Sequence, residues 1–184
     1  LRVDEPELND IVHDCRPMRL AIKRVRRIAP RNISILIQGP SGTGKKLIGR
    51  LLHELSQQSM RPLEIFNCGA IPEDLLEVEL FGSEIYDPLD DATKTTKGRL
   101  EQAHHSTLFL DEVSELPLQI QVKLLRAIED EGKFTRVGGT KTIKADIRFI
   151  SATNHRLNEE VAAGRFRADL FYRLAEDVVS LPAL

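Results

Sequence analysis

Gly39-Pro40-Ser41-Gly42-Thr43-Gly44-Lys45-Lys46 decides the fold. The apolar run from Ile33 to Ile37 precedes it, and Leu47, Ile48, Leu51, Leu52 and Leu55 follow it at helical spacing. A glycine-rich stretch that leaves a strand and opens a helix is a P-loop, and its geometry explains its composition. The glycines let backbone N–H groups converge on phosphate oxygens, and the helix N-terminus adds a favourable dipole. Lys45 then supplies a point charge toward the terminal phosphates. All eight residues are therefore expected to line a phosphate site. The last of them departs from the usual pattern, which has a Ser or Thr hydroxyl on magnesium where this chain has Lys46. Two readings stay open: Lys46 partly replaces the metal as counter-charge, or it points to solvent.

Outward from the loop, short β-rich runs alternate with longer amphipathic segments, the signature of a parallel sheet covered by helices. Strands are predicted at 33–38, 63–67, 107–111, 146–152 and 177–181, and helices are clearest at 45–57 and 118–129. Between 84 and 97 the hydrophobic period collapses into polar and turn-forming residues, read as an inserted loop. Gly138-Gly139 marks a second loop. With 41% hydrophobic residues the chain can bury one sizeable core, so a single α/β domain over 1–184 is expected. Residues 1–31 form its lead-in segment and a basic helix.

The charge balance of 26 basic against 28 acidic residues leaves no whole-domain footprint for nucleic acid or an acidic membrane. The apolar runs fall far short of the ~20 residues a bilayer span needs. Cys15 and Cys68 match no zinc or secreted-disulfide spacing. A reducing cytoplasm fits this composition, and the Leu1 start reads as an excised piece of a longer protein. His104-His105 are expected to point apart, and His13, His53 and His155 lack ligand spacing, so no zinc site is expected. The histidines read as solvated or locally hydrogen-bonded. The dense basic set from Arg16 to Arg31 reads as a solvated helix face or an anion site.

Thr107-Leu-Phe-Leu-Asp111-Glu112 is an apolar strand ending in two carboxylates. Downstream of a P-loop this is the Walker B arrangement, in which Asp111 holds the metal and Glu112 orients the attacking water as general base.

Several separately spaced motifs then coincide. They are Phe81-Gly82 through Gly98-Arg-Leu-Glu-Gln-Ala103, Leu108 to Glu112, Arg136-Val-Gly-Gly139, and Phe166-Arg-Ala-Asp-Leu170. Together they resemble the AAA+ domain of bacterial enhancer-binding proteins, the sigma-54-dependent transcription activators, over essentially the whole chain. The resemblance implies a P-loop α/β subdomain with five parallel strands in the order 5-1-4-3-2 flanked by helices, with the helical lid absent. It implies ATP with magnesium, and Ile11 and Val12 packing on adenine. Asn67 would be the switch that holds Glu112 until the γ-phosphate is sensed, with Thr153 and Asn154 as the sensor beside that phosphate. Arg167 and Arg173 would be arginine fingers reaching a neighbouring subunit, so hydrolysis would need self-association as a dimer or hexameric ring. RNA polymerase with its sigma factor would be a partner, DNA would be read by a domain outside this chain, and no membrane would be involved.

The chain also departs from that family. The slot for the GAFTGA tip reads Ile85-Tyr-Asp-Pro-Leu-Asp-Asp-Ala-Thr-Lys-Thr-Thr-Lys97. Pro40 and Lys46 replace the usual acidic residues, His104-His105-Ser106 the usual turn, and His13 a glycine. Two functions follow as expectations. One is an ATPase domain that controls transcription through nucleotide-dependent oligomerisation. The other is a nucleotide-sensing module with weak or no ATPase, acting without sigma-54 and responsive to cyclic di-GMP, with Arg50 as a possible contact.

Overall fold

The computed structural model describes residues 16–89 and 91–183. Along the chain run α1 (Arg16–Ile28), β1 (Ile35–Gln38), α2 (Lys45–Glu54), β2 (Glu64–Asn67) and α3 (Glu73–Phe81). Then come β3 (Gly82–Asp87), β4 (Ala92–Lys97), α4 (Arg99–Gln102), β5 (Ser106–Asp111) and, after a single 3₁₀ turn, α5 (Leu118–Glu129). The chain continues through β6 (Lys133–Thr135), β7 (Thr142–Lys144), β8 (Ile147–Thr153), α6 (Leu157–Ala162), α7 (Ala168–Leu174) and β9 (Asp177–Ser180).

Five strands form one parallel sheet in the order β2-β5-β8-β1-β9. Numbered among themselves along the chain and read from the β9 edge, they run 5-1-4-3-2, as the resemblance implied. Successive strand side chains alternate between faces, so each strand feeds two cores. Leu36, Phe66, Leu108, Leu110 and Phe149 face the layer built from α3, α5 and α7. Ile35, Ile37, Phe109, Ile150 and Val179 face α1 and α2. Burial on both sides explains why the central strands β1 and β5 read as continuous apolar runs. Each fully buried Phe or Leu contributes about 1.5–3 kcal/mol relative to exposure.

Two sequence expectations are corrected. Residues 84–97 form most of an antiparallel hairpin, β3 on β4, in the register Gly82↔Lys97 to Asp87↔Ala92. Every residue of β4 is exposed, so no buried face marked the strand, although Thr93, Thr95 and Thr96 carry the β-branched preference for extended backbone. The hairpin is anchored at its base, where Glu84 N–H donates to Val137 C=O at 2.8 Å and Val137 N–H to Gly82 C=O at 2.9 Å. Arg136 reinforces it with two 2.7 Å bonds to the Glu101 carboxylate. Second, His104 and His105 do not point apart: their rings stack with centroids 3.7 Å apart, because His105 takes a left-handed φ of 59°. The Nδ1 atom of His104 accepts the Asp146 N–H, and no metal-binding group of three or more His, Cys, Asp or Glu exists among the described residues.

His53 is a buried residue rather than a solvated one. Its Nε2 lies 2.8 Å from the Arg61 carbonyl, which can only accept, so Nε2 carries the proton. Nδ1 then accepts the Thr107 hydroxyl at 2.9 Å. Among the described residues no helix is long and apolar enough to cross a membrane.

Candidate nucleotide site

The loop between β1 and α2 leaves the sheet where β1 lies between β8 and β9, a point where strand order reverses. Such switch points open a crevice beyond the carboxyl ends of the strands. Gly42 and Gly44 take φ of 81° and 83°, a region that an L side chain enters only with strain. Helix α2 begins on Gly44 with no side-chain cap, and its first closing bond is Ile48 N–H to Gly44 C=O. The N–H groups of Lys45, Lys46 and Leu47 therefore have no intrahelical acceptor. An anion such as a phosphate satisfies uncapped donors of this kind.

Lys45 lies over its own loop, its ammonium donating to the Gly39 carbonyl at 2.8 Å and the Pro40 carbonyl at 2.9 Å. Burial lowers its pKa, while the nearby Asp111 and Glu112 carboxylates raise it. The Thr43 hydroxyl also donates to Pro40 C=O, at 2.8 Å, closing the loop on itself. Ser41 and Lys46 are exposed, and Lys46 forms no ion pair among the described residues. That geometry corresponds to the solvent-facing reading of Lys46.

The ends of β2, β5 and β8 supply the remaining groups. Asp111 closes β5, and its carboxylate accepts the Glu112 N–H at 3.2 Å. Glu112 occupies a left-handed conformation, φ 52°, that starts the 3₁₀ turn Val113–Glu115. Its carboxylate lies against Gly69 so closely that a β-carbon at position 69 would collide with it. Asn67 closes β2 and accepts the Gly69 N–H at 3.0 Å, a turn that holds Gly69 beneath the glutamate. Between them Cys68 is buried, and its thiol pKa is driven up by burial and then by Asp111. Thr153 is buried at the end of β8, its hydroxyl donating to Ser114 Oγ and accepting the His155 N–H, both at 3.0 Å. Asn154 follows it in the exposed turn.

Asp111 offers a metal only one side chain here, since Lys46 brings no hydroxyl. Magnesium bound with a nucleotide takes one or two protein carboxylates and completes its shell with phosphates and water, so the donor set fits a nucleotide-borne metal. Ile11 and Val12, expected against adenine, lie outside the described residues.

Arg167 is the residue before α7 and Arg173 lies in its last turn, and both are exposed. Arg167 pairs with Asp169 at 2.7 Å, and Arg173 lies 3.4 Å from Glu129. Both are thus placed at the exposed surface of α7. Gln121 of α5 is a residue that sequence reasoning missed: it is fully buried beneath this region and bonded on three sides. Its signal was a polar residue beside the apolar stripe of 118–129, which does not by itself separate an exposed side chain from a satisfied buried one. Ser114 was likewise invisible, because its partner Thr153 is remote in sequence.

Comparison with known proteins places this geometry. A putative uric acid sigma-54-dependent transcriptional regulator, UacR of Escherichia coli K12, is 44% identical over 182 residues, covering 98% of this chain and 30% of that protein. The Nif-specific regulatory protein of Azotobacter vinelandii is 45% identical over 176 residues, 96% of this chain and 33% of that one. Among solved structures, NtrX from Brucella abortus in complex with ADP superposes with a TM-score of 0.85 at 40% identity, over 93% of this chain and 37% of NtrX. The same protein in complex with ATP gives 0.85 at 38% identity, over 98% and 42%. The chain thus spans about a third of the length of the curated relatives it matches. The family described as the sigma-54 interaction domain matches residues 11–180. A P-loop, an acidic pair and a 5-1-4-3-2 sheet thereby coincide with a match over nearly the whole chain, which belongs to the sigma-54 interaction domain family.

Proposed function

We propose that this domain binds ATP at residues 39–46 and hydrolyses it within a self-assembled ring, as the working part of a bacterial transcription regulator that acts on RNA polymerase carrying sigma-54. One observation carries the reading: an uncapped helix N-terminus, a folded-back lysine and a strand-end carboxylate pair all open at the same edge of the sheet. The ADP and ATP complexes of NtrX support nucleotide as the ligand.

Lys45 exchanges its two carbonyl partners for phosphate oxygens. Asp111 holds magnesium, which when bound neutralises charge on the phosphates. Glu112 orients the attacking water and accepts its proton. Asn67, whose side chain holds the Gly69 turn against the Glu112 carboxylate, serves as its restraint, while Thr153 and Asn154 report on the γ-phosphate at the end of β8. Arg167 and Arg173, exposed on α7, act on a neighbouring copy. A finger of this kind is worth about 10³-fold or more in rate. DNA is read by a domain outside this chain, and the protein works in the cytoplasm.

The hairpin tip favours a second reading. Ile85, Tyr86 and Leu89 are exposed there beside Asp87 and Asp91, where the family's contact motif would lie. A tip of that composition supports only the part of this reading in which the domain works without sigma-54; the reading further takes the domain as a nucleotide sensor with weak or no ATPase, cyclic di-GMP as effector and Arg50 as its contact.

Calorimetric titration separates the two. With ATP and ADP we expect one site per chain, tightened by magnesium for ATP and weakened roughly tenfold or more by Lys45→Ala, the loss expected for a charge-assisted contact. Binding of cyclic di-GMP with no heat from ATP would replace the first reading with the second.

A further inference from the structure

Gln121 lies where the turn that follows Glu112 meets the link between α6 and α7. It is fully buried, and its amide is engaged at both the nitrogen and the oxygen. Nε2 donates to the Leu116 carbonyl at 2.7 Å and to the Arg165 carbonyl at 3.0 Å, while Oε1 accepts the Arg167 N–H at 2.8 Å. Both donors and the acceptor are engaged, so the orientation of the amide is fixed by its partners.

The two ends of this junction belong to different parts of the site. Leu116 ends the 3₁₀ turn Val113–Glu115 that starts on Glu112, and its N–H bonds to Val113 C=O. Arg165 and Arg167 belong to the short link between α6 and α7, and Arg167 is the residue on which α7 starts. Among the described residues Arg167 is otherwise bonded only within α7, its carbonyl accepting the Phe171 N–H at 3.0 Å and its side chain pairing with Asp169. Phe166, between the two bonded residues, is buried in the core beside Leu116, Leu170 and Leu174. The link is therefore short, bonded on both sides of a buried anchor, and joined to the backbone of the glutamate turn through the Gln121 amide, while His155, 3.7 Å from Glu115 and 4.0 Å from Glu160, adds an exposed contact between that turn and α6.

We propose that Gln121 is a positioning residue that couples the Glu112 turn to the Arg167 segment, so that the state of one chain's catalytic acid sets the placement of the arginine it offers to the next chain. This rests on the ATPase reading above. The Leu116 carbonyl and the Arg167 N–H are held by the same amide. A shift of the glutamate turn drags the finger segment or breaks the bond, and either outcome links nucleotide state to the surface that carries Arg167. Glutamate at 121 keeps the shape but presents an oxygen to the two carbonyls, and methionine keeps the volume but leaves three buried polar groups unpaired.

The test is a double-mutant cycle on steady-state ATP hydrolysis by the full-length protein, using Gln121→Met, Arg167→Ala and the pair. Gln121→Met should lower kcat roughly tenfold, the worth of one or two neutral hydrogen bonds, with KM for ATP within about twofold of wild type. In the Arg167→Ala background the same change should cost nothing further. Additive losses, or a rise in KM without a fall in kcat, overturn the proposal, since a merely structural glutamine would behave that way. Gln121→Asn, which keeps a shortened amide, should recover part of the rate. If Glu112→Gln and Arg167→Ala both leave hydrolysis unchanged, the ATPase reading fails on its own account. The coupling is then decided by amide hydrogen exchange: Gln121→Met or Gln121→Asn should speed exchange both at 113–116 and at 165–168. Faster exchange at only one of these segments, or at neither, overturns it.

Discussion

Glu112 holds a backbone conformation that costs a non-glycine residue roughly 1–2 kcal/mol, and it does so next to Asp111 and above Gly69. The strain is explained by what it accomplishes: the left-handed turn separates the two carboxylates, leaving Asp111 at the strand end and laying Glu112 over the β2 turn. Gly69 is the other half of that arrangement. Gly69→Ala should push the Glu112 carboxylate out of place and lower kcat about tenfold to a hundredfold, as expected for a misplacement near 1 Å. Affinity for ADP should stay within about threefold by calorimetry, because the phosphate loop is untouched; a large loss of ADP affinity with kcat preserved would show that Gly69 supports the loop instead. Residue identity at this scale was legible in the sequence for Asp111, Glu112 and Asn67, whose places at strand ends follow from the apolar runs before them. Gly69 was not singled out, since its role is a clearance that exists only once β2 and β5 pair through Asn67↔Asp111.

Elements divide the same way. The central strands β1 and β5 were readable because burial on both faces leaves an unbroken apolar run, while β8 and the edge strands β2 and β9 show shorter apolar stretches interrupted or flanked by polar residues. The β3–β4 hairpin was read as a loop because exposure removed the alternation that marks a half-buried strand. Helix α2 ends at Glu54 rather than running to 57, and its last turn is tied to the sheet by His53. That tie makes a pH prediction. Burial lowers the His53 pKa below its ordinary value of 6.5, so the folded chain keeps the ring neutral where the unfolded chain protonates it. Above about pH 6.5 both states are neutral and the ring has no effect on the slope. As pH falls below that value the unfolded state gains the proton first, and stability declines by at most about 1.4 kcal/mol per pH unit until the folded pKa is passed. Urea unfolding at pH 8, 6.5 and 5.5 should show this decline, and His53→Gln should remove that part of it; an identical acid slope in the variant would show that other groups cause it.

At the scale of the whole molecule the order of the parallel sheet was anticipated through the family resemblance, since the apolar runs mark where strands lie but not which strands are neighbours. The sequence could not place Arg167 relative to Glu112, because the path between them runs through backbone groups and one buried amide rather than through any motif. The two cores meet through the sheet, and the candidate phosphate loop, the acidic pair and the β8 turn lie at one rim of it. Arg167 and Arg173, exposed on α7, are assigned to the site of a neighbouring copy, which is why the account requires more than one copy for rapid turnover. The most direct measurement is ATP hydrolysis per chain as protein concentration is raised, for wild type, Glu112→Gln and Arg167→Ala. The account predicts turnover per chain that climbs with concentration in the wild type and falls about 10³-fold in either variant, the scale of a lost arginine finger. Turnover per chain that is independent of concentration and unchanged by both substitutions would contradict it.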